Sequence, residues 1–107
     1  MKPLFAVIAV VASAAISAPA LANQELAQKK GCLMCHAIDK KIIGPAYQDV
    51  AAAYTSEHVE QLTKKVLNGG GGVWGTARMV PNKDRGVTEA EAKQLVEWVL
   101  SLKKKAP

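Results

Sequence analysis

Cys32 and Cys35 are the only cysteines in the chain, and His36 follows the second directly. The order Cys32-Leu33-Met34-Cys35-His36 has the form of the attachment sequence for c-type haem. Two thiols separated by two residues can add to the two vinyl groups of one haem, while the adjacent histidine is placed beneath the iron as proximal ligand. Two other chemistries use a Cys-x-x-Cys. A thioredoxin-like motif needs a surrounding βαβ pattern, and this chain shows no such strand alternation. A tetrahedral zinc site needs four ligands, but only His58 remains beyond Cys32, Cys35 and His36, with no second closely spaced pair. A disulfide between the two cysteines would close a tiny loop and constrain little of the unfolded chain. The motif is therefore read as the covalent attachment of one haem c through Cys32 and Cys35.

Iron held by His36 needs a sixth ligand, and its identity separates an electron carrier from a gas-binding or catalytic protein. Met1 opens an apolar leader expected to be removed, and Met34 lies between the attachment cysteines on the proximal side. Met79 is left as the methionine free to approach the opposite face. It sits in Trp74-Gly75-Thr76-Ala77-Arg78-Met79-Val80-Pro81-Asn82, a stretch with neither helical nor strand periodicity. A lone methionine ordinarily fills a core gap; the haem motif reverses that preference. His58 is the rival ligand, placed just past a helix cap between Glu57 and Glu60, where a solvated histidine is the ordinary reading.

The chain has 107 residues and a formal charge of +5. Lys2 gives a short positive start, Leu4 to Ile16 is an apolar run, and Ala20-Leu21-Ala22 supplies the small residues of a cleavage site, so residues 1–22 read as a secretory signal peptide cleaved after Ala22. An uncleaved anchor is the alternative, but the run is shorter than the ~20 residues of a membrane span. Cleavage leaves 85 residues, 23–107, with a charge of +4 and four aromatics, Tyr47, Tyr54, Trp74 and Trp98. At that length a core rarely gives more than ~3–5 kcal/mol, and one small disulfide would add little. A large apolar cofactor is what such an interior lacks.

The elements that must position these residues read as helices joined by glycine-rich or proline-rich connections. Asn23 can cap a first helix to about Lys30, ended by Gly31. Ile42-Ile43-Gly44-Pro45 is an extended loop, and Pro45 suits the first turn of a short helix through Tyr54. Ser56 can cap a third helix to about Asn68, with Val59, Leu62, Val66 and Leu67 on one face, before the glycines 69 to 72. Thr88 and Glu91 form a capping box for the last helix, where Ala92, Leu95, Val99 and Leu102 repeat at helical spacing and Lys103 to Lys105 sit at the negative end. No internal repeat or second domain is visible. The expectation is an all-α domain of about four helices.

With these motifs in place the chain resembles the class I c-type cytochromes, in particular the small bacterial periplasmic ones that donate electrons to nitrite reductase or a terminal oxidase. The resemblance is carried by Lys30-Gly31, the haem motif, Ala37-Ile38-Asp39, Gly44-Pro45-Ala46-Tyr47, Asp49-Val50-Ala51-Ala52, Asn68-Gly69, Val73-Trp74-Gly75, Met79, Pro81-Asn82 and Trp98-Val99-Leu100-Ser101. It spans essentially the whole of residues 23–107. It implies a small class I cytochrome c fold around one covalent haem, with first and last helices crossing near Gly31 and Trp98, the absent Gly31 side chain allowing close approach. It also implies that His36 and Met79 ligate the iron and that the Pro45 carbonyl accepts the other ring N–H of His36. In the same way Trp74 is expected to bond a propionate, Asn82 to donate to the Met79 sulfur, and Lys65 to lie near the inner propionate. Family members frequently carry prolines on both sides of the methionine; here Arg78 and Val80 stand there, which implies a less rigid loop.

With both axial positions filled by protein, iron changes oxidation state without binding substrate, and the expected function is a periplasmic one-electron carrier with no catalytic residue. The resemblance implies a cytochrome bc1-type donor and a nitrite reductase or terminal oxidase as acceptor. Partners would meet a monomer at the exposed haem edge through a small transient interface. Lys29, Lys30, Lys40, Lys41, Lys64 and Lys65 can steer an acidic partner. Export and scattered lysines argue against nucleic acid, and no membrane span is expected after cleavage. The alternative is a haem enzyme or gas-binding protein with a weak or absent sixth ligand and Arg78 as distal polar group.

Overall fold

A computed structural model describes residues 19–104, with side chains described from Asn23 onward. Residues 1–18 of the expected signal peptide, and Lys105, lie outside the described residues. The fold is all-α, as expected: α1 (Pro19–Lys29), α2 (Tyr47–Ala53), α3 (Val59–Asn68) and α4 (Glu89–Ser101). Short 3₁₀ turns occupy Cys32–Met34, Ser56–His58 and Asn82–Arg85. A minimal antiparallel ladder joins β1 (Gly70–Gly71) to β2 (Arg78–Met79), pairing Gly70 with Met79 and Gly71 with Arg78.

The last helix, α4, organises the molecule because it packs against α1, α2 and α3. Its capping box forms as expected: the Glu91 N–H donates to Thr88 Oγ1 at 3.1 Å, and the Thr88 N–H donates to Glu91 Oε1 at 3.0 Å. Leu95 and Trp98 of α4 meet Ala27 of α1 and Tyr47 of α2 in the buried cluster, with Leu26, Leu33, Ile38, Val99 and Leu102 packed against it. The close crossing of α1 and α4 is therefore made at Ala27, which is completely buried. Gly31 lies against a different neighbour. A Cβ there would strike the Arg85 guanidinium, and Gly31 has φ +81°, a left-handed conformation that ends the helix.

Three helix starts differ from expectation, each for a local reason. α1 begins at Pro19, so Asn23 is inside it rather than capping it. Proline suits a first helical turn, and Ala20-Leu21-Ala22 contains nothing to stop the helix. Asn23 is buried and its Oδ1 accepts from Gln94 Nε2 of α4. The cap before α3 is Thr55, not Ser56: Thr55 Oγ1 accepts from the Glu57 N–H, and the Thr55 N–H donates to His58 Nδ1 at 3.0 Å. A 3₁₀ turn then leads into α3. Pro45 does not occupy the first turn of α2, which starts at Tyr47 with Ala46 at its N-cap. The chain at Pro45 is held instead by a contact with His36.

Candidate haem site

The 3₁₀ turn Cys32–Met34 starts where α1 ends, and the His36 N–H donates to the Cys32 carbonyl at 3.0 Å, so both thiols and the imidazole are displayed by one tight bend. The loop Ile43–Pro45 closes over that bend: the Ile43 and Gly44 N–H groups both donate to the Cys35 carbonyl, at 3.2 and 2.7 Å. His36 Nδ1 lies 2.8 Å from the Pro45 carbonyl. That contact makes Nδ1 the donor nitrogen and leaves Nε2 with its lone pair, the state an iron ligand needs. Gly44 lies against the imidazole so closely that a Cβ there would come 2.5 Å from His36 Cε1 and 2.9 Å from each ring nitrogen. The ring also stacks on Tyr47, with centroids 4.8 Å apart and planes inclined 20°. Tyr47 in turn meets Trp98 edge-on at 5.6 Å. The imidazole is thereby fixed by a carbonyl, a glycine and an aromatic ring.

All eight expected site residues, Cys32, Cys35, His36, Pro45, Lys65, Trp74, Met79 and Asn82, line one cavity of about 440 Å³. Much of the remaining lining is apolar, including Val50 and Tyr54 from the α2 region, Leu62 and Val66 of α3, and Leu95, Val96 and Val99 of α4. His58 does not line it; its imidazole is committed to Thr55 and packs edge-on against Tyr54 at 5.2 Å. Met34, 73% exposed, points elsewhere too. Met79 is half-buried and reaches the cavity from β2. Lys65 Nζ lies beside Gly70, where a Cβ would approach it to 2.9 Å. Trp74 is 38% exposed at the cavity mouth.

Asn82 departs from its expected role here. It is buried, but its amide donates to the Val66 and Val80 carbonyls at 3.0 and 3.2 Å rather than to the Met79 sulfur. It thus ties the segment after Met79 to the end of α3. Lys30 departs as well. It pairs with Glu91 at 3.4 Å and donates to the Gly86 carbonyl at 3.1 Å, so it is a structural tie rather than a free steering charge.

The two cysteines are unpaired thiols. Burial pushes the Cys32 thiol up from its usual range, against the smaller opposing effects of the Tyr47 hydroxyl and the Arg85 charge. Burial likewise pushes Tyr47 well above the ordinary phenol range, with the neighbouring cysteines adding to it. Among the described residues no group of three or more His, Cys, Asp or Glu is placed to hold a metal ion. An apolar cavity of this volume, with two thiols and a pre-oriented imidazole in its wall, fits a flat apolar macrocycle carrying its own iron.

Three residues of the site were not identified by residue chemistry alone. Gly44 and Tyr47 belong to the Gly44-Pro45-Ala46-Tyr47 run, and the signal for them is proximity to a proline whose carbonyl must face the histidine. Arg85, which also lines the cavity, carries no local signal.

Comparison with known proteins agrees with this geometry. A family model described as Cytochrome c matches residues 20–103. Cytochrome c-552 of Hydrogenobacter thermophilus is 46% identical, over 92% of this chain and 97% of that protein. Cytochrome c-551 of Pseudomonas aeruginosa is 40% identical, over 96% of this chain and 100% of its own length. The crystal structure of wild-type Nitrosomonas europaea cytochrome c552 superposes with a TM-score of 0.69 at 40% identity, covering 75% of this chain and 99% of that one. An interior built to receive covalent haem, a four-helix fold and these matches along nearly its whole described length place the chain in the cytochrome c family, as a small bacterial electron carrier.

Proposed function

We propose that the protein is a periplasmic one-electron carrier whose haem is bound through Cys32 and Cys35 and ligated by His36 and Met79. The observation that carries this reading is the convergence of both thiols, the Pro45-oriented imidazole and the Met79 thioether on one apolar cavity. When bound, haem supplies a one-electron couple. The chain's residues do the rest. Pro45 holds the proton on His36 Nδ1, Gly44 and Tyr47 fix the ring plane, and apolar side chains of the helices line the cavity.

A neutral thioether from Met79 favours the reduced state relative to more donating ligands. Trp74 and Lys65, both at the cavity wall, suit the two propionates, the indole as N–H donor and the ammonium as counter-charge. Asn82 supports Met79 through the backbone it ties down. Export by residues 1–22 with cleavage after Ala22 puts the carrier in the periplasm, where a cytochrome bc1-type donor and a nitrite reductase or terminal oxidase would be its partners, with the carrier a monomer. No helix among the described residues is long and apolar enough to cross a membrane. Ile43, Val73, Trp74 and Val80 are exposed at the mouth of the cavity and suit a small apolar contact with a partner.

Optical spectra of the protein purified from the periplasm provide the test. A covalent low-spin c-type spectrum, with the weak far-red ferric band of methionine ligation and no response to carbon monoxide, is expected. Ready carbon monoxide binding would reject the closed coordination. Met79→Ala should become five-coordinate or recruit another ligand, and an unchanged spectrum would reject Met79.

A further inference from the structure

Arg85 is a charge for which the site as described has no use. It closes the 3₁₀ turn Asn82–Arg85, and that turn is anchored twice. Inside it, the buried Asn82 amide donates to the Val66 and Val80 carbonyls; just after it, Lys30 Nζ donates to the Gly86 carbonyl while pairing with Glu91. The anchored turn lays the guanidinium against Gly31, where an added Cβ would strike Nη2 and lie 3.2 Å from Cζ. Arg85 lines the same cavity as Cys32, the next residue after Gly31. Among the described residues no carboxylate lies within 4.0 Å of it, since the ion pairs are Lys30–Glu91 and Lys93–Glu97. An unneutralised cation is therefore held at the wall of the haem cavity, beside an attachment thiol.

We infer that Arg85 is a positioning residue for charge, raising the reduction potential of the haem attached at Cys32. The inference rests on Cys32 being an attachment thiol. Reduction adds one electron to the iron, so a fixed positive charge nearby lowers the energy of the reduced form more than that of the oxidised form. Because the Arg85 side chain is exposed, the contribution is screened by salt. Gly31 has a second task beyond ending α1: it leaves the space that the guanidinium occupies.

The test equilibrates haem-loaded wild type, Arg85→Met, Arg85→Lys and Lys83→Met with a redox mediator of fixed potential and reads the reduced-to-oxidised ratio optically. Arg85→Met keeps an unbranched apolar stem and removes the charge; its ratio should fall by about threefold at low salt and approach wild type at high salt. Arg85→Lys should stay near wild type, and so should Lys83→Met, which removes an exposed charge from the same turn. If Arg85→Met fails to accumulate, Arg85→Gln should show the same fall. A charge-removing variant that matches wild type at low salt overturns the inference. A shift in Arg85→Lys as large as in Arg85→Met also overturns it, because the effect would then belong to packing. Wild-type protein lacking covalent haem would instead reject attachment at Cys32, and the inference with it.

Discussion

At the scale of single residues, the cavity wall at His36 is defined by what surrounds one imidazole. Pro45 chooses the protonated nitrogen, Tyr47 supports one face, and Gly44 leaves no atom where a side chain would collide with the ring. Gly44→Ala should therefore displace His36 and weaken the Pro45 bond. The expected result is a fall in covalently loaded protein or a disturbed low-spin spectrum, while far-UV circular dichroism keeps its helical signal; wild-type loading and spectrum would contradict this account. The grouping at this scale was partly legible in the sequence, because Cys32, Cys35 and His36 fall within five residues and the structure brings them and Met79 to one cavity. The roles of Arg85 and Asn82 were not. Arg85 is far from Gly31 along the chain and meets it only after α1 and the Asn82–Arg85 turn have packed. Asn82 has an amide that can serve several acceptors, and only the folded backbone shows that the Val66 and Val80 carbonyls are the ones within reach.

At the scale of elements, helix starts hold the cavity walls in place. α4 is the clearest case, since it presents Leu95, Val96 and Val99 to the cavity and Trp98 to the buried cluster. Thr88→Ala removes one half of its capping box and should cost about 1 kcal/mol in urea unfolding of the haem-loaded protein. Glu91 forms the other half, and the Thr88 backbone N–H, with Lys30 adding to it, holds its carboxyl below the usual 4.5. A carboxyl lowered in the folded state stabilises the fold fully above its unfolded value and loses that contribution as pH falls through the folded value. Unfolding measured against pH should show a gap between wild type and Glu91→Gln that is widest near neutral pH and narrows below about pH 4.5. A gap of constant size would mean that the ionised carboxylate is not what matters. This capping box could be read directly from Thr88-Glu89-Ala90-Glu91. The cap at α3 could not, because Thr55 and Ser56 are adjacent hydroxyls and the choice is made by His58 folding back to accept the Thr55 N–H. The start of α1 differs from the reading because the helix of the full chain runs back through Ala20-Leu21-Ala22 to Pro19, residues that the proposed cleavage after Ala22 would remove, leaving Asn23 first.

At the scale of the whole molecule, a small all-α chain with few aromatics encloses a cavity that its own side chains do not fill, and the folded protein and its cofactor form one core. Among the surface charges, Lys40, Lys41 and Lys64 are exposed, whereas Lys30 is tied to Glu91 and Gly86. Electron transfer to an acidic acceptor should slow as salt is added, and neutralising Lys40 and Lys41 together should flatten that dependence. Lys30→Gln should lower stability and leave the salt slope unchanged; stopped-flow rates across a salt series would show both. The ladder between Gly70–Gly71 and Arg78–Met79 has its own meaning for the proposed ligation. It holds Met79 by backbone pairing that does not pass through iron, and Asn82 secures the chain just beyond it. A thioether that let go would stay confined beside the position it left, at a high effective concentration, so recapture would be a local event. Any small external ligand would then have to outcompete a sulfur kept on a short leash.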